Sequence, residues 1–191
     1  MFISTSPTAD SEPAFAAYVD SQRGFWGFVP DYTGCFANQP DIATAWIALA
    51  AAVRATMDRR RFELVTIAAA RARGSAYCTA AHAKMLQEVC DDEATLRGLA
   101  ADPSGGQLSP VDAAIYRFAV KVATAPGSVT HSEIEELRAL GLADAEIASI
   151  TYAVGVRLFF TTVLDALGAQ LDPEIVAGFD EEFLAFVTGA R

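Results

Sequence analysis

The chain has 191 residues, 52% of them hydrophobic and 20% charged, with a mean hydropathy of +0.26. That balance excludes a disordered chain and supplies a core for one domain, read here as 1–191 with its centre at about 40–170. The 14 basic and 24 acidic residues leave a net charge of −10, so phosphate backbones and anionic membrane surfaces would repel the chain.

The opening residues, Met1 to Ser6, lack the basic and apolar regions of a secretory signal. The longest weakly polar run, Ile42 to Val53, ends at Arg54, and no stretch reads as a membrane span. Three cysteines, Cys35, Cys78 and Cys90, are an odd number without a need for staples. They read as free thiols of a reduced cytoplasmic protein.

In chain order, residues 1–12 read as loose, and Glu12-Pro13 opens a short helix to about Arg23. Gly24 to Gln39 reads as an ordered loop. Pro40-Asp41 then starts a helix whose Ile42, Trp46, Leu49 and Val53 follow a spacing of three to four residues. Asp58 caps the next helix, which Gly74 stops. Ser75 caps a further one through Cys78, His82 and Val89. Asp91 to Ser109 is polar and reads as a linker. Pro110 opens a helix to about Ala125, and Thr130 with Glu133 makes a capping box for another. Asp144 caps a long apolar helix to Leu167, and Pro173 opens a last one bearing Phe179, Phe183 and Phe186. No strand alternation occurs, so the fold class is all-α. Glu63 to Ile67 and Glu146 to Ile150 sit at similar places in two helical halves, which suits an internally duplicated bundle.

The segment richest in chemistry is Gly74-Ser75-Ala76-Tyr77-Cys78-Thr79-Ala80-Ala81-His82. With Ser75 at the N-cap, Cys78 is the third helical residue, beside unpaired backbone N–H groups at the positive end of the helix. That position favours the thiolate. His82 lies one turn on, on the same face, where an imidazole can take the thiol proton or deliver one to a leaving group. Glu63 lies in the preceding helix, which Gly74 folds back, and its carboxylate could orient the imidazole.

Glu63, followed by Ser75-x-x-Cys78-x-x-x-His82, resembles the core of the alkylhydroperoxidase AhpD and carboxymuconolactone decarboxylase superfamily. That core has a Glu, then twelve residues later Cys-x-x-Cys-x-x-x-His. The likeness runs from the Asp41 helix to the Leu-Gly-Ala-Gln-Leu-Asp-Pro ending at 167–173. Ser75 stands where the first cysteine of the pair would be. The resemblance implies an AhpD-like helical bundle that assembles into trimers or hexamers. It implies Cys78 as the thiol that attacks peroxide, with His82 and Glu63 as proton relay. Ser75 cannot close the family's disulfide, so an external thiol must act as reductant. The decarboxylase branch needs no cysteine pair, which leaves open a non-redox enzyme using Glu63 and His82 on a small carboxylated acid. A non-catalytic oligomeric module is the third reading.

Other residues have plainer readings. Ser75 is a helix cap, and Tyr77 either faces the site or packs. Cys78 and His82 as metal ligands would need donors that His131, on another helix start, does not supply. Trp26, Trp46 and the Phe159-Phe160 pair read as core or subunit contact, so no cofactor and no metal are expected. The apolar composition and the phenylalanines of the last helix suggest surface that one subunit cannot cover. A homo-oligomer is expected, dimer included, with a hydroperoxide or a small carboxylated acid as substrate.

Overall fold

A computed structural model of the chain describes residues 1–189, so the last two residues of the range read as one domain lie outside it. Among the described residues there are helices and no strands. They are α1 (Glu12–Trp26), α2 (Pro40–Arg54), α3 (Arg59–Ala72), α4 (Ala76–Glu88), α5 (Glu93–Ala101), α6 (Pro110–Thr124), α7 (His131–Ala139), α8 (Asp144–Leu167), α9 (Pro173–Val176) and α10 (Glu181–Thr188). Two short 3₁₀ turns, Asp31–Phe36 and Pro126–Ser128, lie between them.

The centre is α3. Every residue from Phe62 to Ala70 is buried, because the run is apolar on all sides except at Glu63 and at Thr66, whose hydroxyl bonds the Phe62 carbonyl. Helices α4, α6 and α8 surround it. Asp58 caps its start by accepting from the Arg61 N–H at 2.9 Å. At its end Gly74 has φ +73°. The Ser75 N–H reaches the Ala70 carbonyl and the Gly74 N–H that of Arg71. This paired closure needs a residue in the left-handed region, and it turns the chain straight into α4.

Four expectations need correction. The polar stretch 91–109 is not a bare linker. Asp92 caps α5 by accepting from the Thr95 N–H, and Leu96 and Leu99 of α5 are fully buried. Two leucines in nine residues are too short a pattern to stand out beside Pro103, Gly105 and Gly106. The last helix is two, broken at Gly178, whose φ is +89°. Its aromatics do not form outer surface: Phe183 and Phe186 are buried, and α10 packs on α4 and α5. Asp144 is the first residue of α8 and bonds Arg138, while the box at the N-terminus is closed by Glu146.

The fourth concerns membrane spans. Helix α8 is long and apolar enough to cross a membrane by length and composition. Over half of that span is instead buried inside the fold, where α8 packs on α2, α3 and α6. Exposed apolar side chains remain on α1, on α2 and on the outer side of α8 itself. Ile42, Ile47 and Leu49 of α2, Tyr152 and Phe159 of α8, and Phe25 of α1 are all exposed.

Candidate active site

Helices α3 and α4 form an antiparallel pair joined at Gly74, and they carry Glu63, Cys78 and His82. Glu63 is fully buried on α3. One of its carboxylate oxygens accepts from Arg59 Nε, one turn earlier on the same helix. The other lies 2.5 Å from His82 Nδ1 on α4. The carboxylate is thus held from two sides, and Nδ1–H is the tautomer that bonds it, leaving the lone pair on Nε2.

Burial would raise the Glu63 pKa, but His82 and Arg59 outweigh it and hold the carboxyl below the ordinary glutamate value. Burial, followed by the charge of Arg157, pushes the His82 pKa below that of free imidazole against the pull of Glu63. The pair therefore rests as carboxylate and neutral imidazole at neutral pH.

Cys78 and His82 lie one turn apart on α4, and both line a cavity of about 660 Å³ together with Glu63 and Tyr77. Cys78 is 1% exposed, so its sulfur is reached through that cavity. The opposite wall is aromatic. Trp46 of α2 stacks on Phe160 of α8 with ring centroids 4.1 Å apart, and the Trp46 indole N–H donates to the Val156 carbonyl at 3.0 Å. Trp26 donates to the Tyr32 hydroxyl, which in turn donates to the Gln22 side-chain oxygen. Tyr77 is anchored rather than free: its hydroxyl donates to Asp172, and its ring meets Tyr32 edge-on. Burial and the Asp172 carboxylate both push the Tyr77 phenol pKa up, so it is a proton donor that does not ionise.

Ser75 is buried at the N-cap of α4, but its side chain makes no capping bond. Its hydroxyl donates to Asp165 Oδ1 of α8 at 2.9 Å, and Ser75 is not among the residues lining the cavity. The other thiols are separate. Cys35 is buried beside Met1, and burial together with Asp31 raises its pKa to about 11. Cys90 lies beyond the end of α4, its pKa raised by partial burial and then by Glu63. His131 is exposed and, among the described residues, pairs only with Glu135.

Arg157 of α8 is absent from the sequence-level site. Its Nη1 lies 3.6 Å from Cys78 Sγ, and its guanidinium lies over the rings of Trp46 and Phe160 at 5.6 Å from each centroid. It is 5% exposed, and its Nε has no partner. The available signal was that Arg157 is the single charged residue between Glu146 and Asp165 in an otherwise apolar helix.

A model of the carboxymuconolactone decarboxylase family matches residues 40–101, which hold α2 to α5 and so Glu63, Cys78 and His82. No curated protein matches the chain. Among solved structures, an uncharacterized peroxidase-related protein with an alkylhydroperoxidase AhpD core, from Ralstonia eutropha JMP134, is 19% identical with a TM-score of 0.78, over 98% of this chain and 96% of that one. An uncharacterized peroxidase-related protein from Silicibacter sp. TM1040 is 17% identical with a TM-score of 0.80, over 94% and 95% of the two chains. The debrominase Bmp8, as a cysteine-to-alanine variant in complex with 2,3,4-tribromopyrrole, is 17% identical with a TM-score of 0.76, over 95% and 98%. The fold is therefore shared along nearly the whole length. The family model falls on the helices that carry Glu63, Cys78 and His82. The chain thus resembles the carboxymuconolactone decarboxylase family over residues 40–101 and shares the fold of AhpD-core structures along nearly its whole length.

Proposed function

We propose that the chain is a one-cysteine, thiol-dependent peroxidase of the AhpD kind. The observation that carries this is the convergence of Cys78, His82 and Glu63 on one cavity, with the His82–Glu63 bond already formed. Cys78 attacks as the thiolate, its proton taken by His82. A sulfur–oxygen bond forms at the peroxide, the O–O bond breaks, and the alcohol leaves with the proton from His82. Cys78 is then a sulfenic acid. One external thiol condenses with it, releasing water and leaving a mixed disulfide. A second external thiol frees Cys78 and departs as the external disulfide. Two electrons pass from the thiols to the peroxide. Glu63 keeps the imidazole in one tautomer and offsets its charge while it holds the proton.

The site needs a reductant from outside because Ser75 carries no sulfur and bonds Asp165. A cytoplasmic location, where small thiols are abundant, is part of the same proposal. So is a homo-oligomer formed through the exposed apolar side chains of α2 and α8 rather than through the phenylalanines of α10. The experiment is cumene hydroperoxide treatment with dimedone, followed by mass mapping. We expect a dimedone adduct on Cys78 and none on Cys35 or Cys90. No adduct and no oxidised mass would exclude peroxidase chemistry.

A second reading is favoured by two features: the His82–Glu63 pair is complete without the thiol, and about 660 Å³ is far more room than a peroxide group needs. In that reading Glu63 and His82 move a proton on a small acid and Cys78 is dispensable. The structurally similar debrominase, crystallised with a flat tribromopyrrole, widens the range of substrates worth testing. Full turnover by Cys78→Ser on such a substrate would decide for it.

A further inference from the structure

We propose that Arg157 makes this cavity hold an anion subsite, selecting ligands with an acidic head on a flat apolar body. This rests on the cavity being the substrate site.

The charges around the cavity do not balance. Its lining holds Arg54, Arg59 and Arg157 but a single carboxylate, Glu63, in a chain whose net charge is −10. Glu63 is fully engaged by Arg59 and His82. Arg157 has no carboxylate partner in any ion pair among the described residues; its only polar contact is the Cys78 sulfur at 3.6 Å. A guanidinium 95% buried with an unbonded Nε is costly unless an anion or hydrogen-bond acceptor completes it.

The planar fork of arginine matches two oxygens of a carboxylate or the edge of an ionised acidic ring. The surroundings fix what lies behind that head. Trp46 and Phe160 flank the guanidinium, and Trp26, Tyr32 and Phe62 extend the aromatic wall. A flat apolar body fits there, and the excess of arginine draws anions into the cavity of an otherwise acidic protein. Because Arg157 touches Cys78, a bound acid sits next to the sulfur and shields it.

The probe is 2-naphthoate, with 2-naphthamide as its neutral counterpart, titrated by tryptophan fluorescence and calorimetry. A charge-assisted bond in a buried site corresponds to a preference of about tenfold or more for the acid. Arg157→Met should bring the ratio to about one, and Arg157→Lys should restore part of it. Naphthoate should also slow iodoacetamide labelling of Cys78. Should Arg157→Met fail to fold, Arg157→Lys keeps the test intact: it retains a cation without the planar fork, and an undiminished preference in it overturns the proposal. Equal binding of the two compounds, binding of neither, or a preference that survives in Arg157→Met overturns the proposal. Loss of peroxidase chemistry is read separately by dimedone on Cys78, so the two can fail independently.

Discussion

The two walls of the cavity are built by different means. The α3–α4 wall holds Glu63, Cys78 and His82 within twenty residues of chain, and its charged groups satisfy each other. The opposite wall gathers Trp26, Trp46, Arg157 and Phe160 from α1, α2 and α8, and leaves its one buried cation without an anion. A proton relay must hold its geometry before substrate arrives, so its members are locked together. A wall that recognises a ligand must leave a group unsatisfied until the ligand comes. In the proposed function, chemistry is therefore local in sequence, and selectivity is assembled from a distance.

The largest effect expected falls on the locked wall. Glu63→Gln and His82→Gln should each lower peroxide turnover by about 100-fold, the usual scale for a lost acid–base group. Stability should fall by only about 2 kcal/mol, the scale of a hydrogen bond to a charged group. Stopped-flow oxidation of Cys78 alongside urea unfolding separates the two. Equal proportional losses in both would make Glu63 and His82 structural residues.

How much of this was legible in the sequence follows the same division. Gly74 needs a positive φ, Ser75 marks a helix start, and Cys78 and His82 are spaced by one turn, so the α3–α4 hairpin could be read from local rules. Arg157 could not. Its partner is 79 residues away, and helical periodicity does not say which side of a helix as apolar as α8 faces a cavity. The phenylalanines of α10 misled for a related reason: an amphipathic aromatic stripe marks a face to be covered, without saying whether the cover is the chain's own α4 and α5 or a second subunit. The apolar stripe that marks α2 as a helix is exposed at Ile42 and Leu49.

That exposure gives the next test. Leu49→Glu places a charge on the exposed side of α2, at a residue that does not line the cavity. If α2 joins subunits, light scattering should show wild type as a homo-oligomer and the variant as a smaller species with its helical content kept. A wild-type monomer at micromolar concentration would remove the oligomer from the proposal.

Acid should weaken the locked wall in a defined order. The folded-state pKa of His82 lies below its ordinary 6.5 and that of Glu63 below 4.5. In both cases the unfolded chain binds the proton more readily, so stability rises with pH across each window. The contribution of His82 is complete above about pH 6.5 and declines as pH falls through its folded value; that of Glu63 declines below about pH 4.5. Urea midpoints from pH 8 to 4 should fall first below 6.5, and His82→Gln should flatten that first fall. An unchanged profile in the variant would show that His82 is not buried as the neutral form.

The smallest effect belongs to Ser75, which sits at the start of α4 without lining the cavity. Its hydroxyl ties the start of α4 to Asp165 of α8, and burial raises the Asp165 pKa against that bond. Ser75→Ala should cost about 1 kcal/mol, the scale of a single hydrogen bond, and leave the rate of Cys78 oxidation within about twofold. Ser75→Cys asks a different question. Residues 75 and 78 are neighbours at a helix start, and a thiol there can attack a sulfenic acid on Cys78, which a hydroxyl cannot do. Under peroxide and dimedone, wild type should accumulate the adduct or pass to sulfinic acid, while Ser75→Cys should show an intrachain disulfide and lose the adduct. If Ser75→Cys keeps the adduct and forms no disulfide, position 75 is turned too far toward Asp165 for its side chain to reach Cys78. The two sides of α4 would then be separate: one facing the chemistry, the other only holding the helix in place.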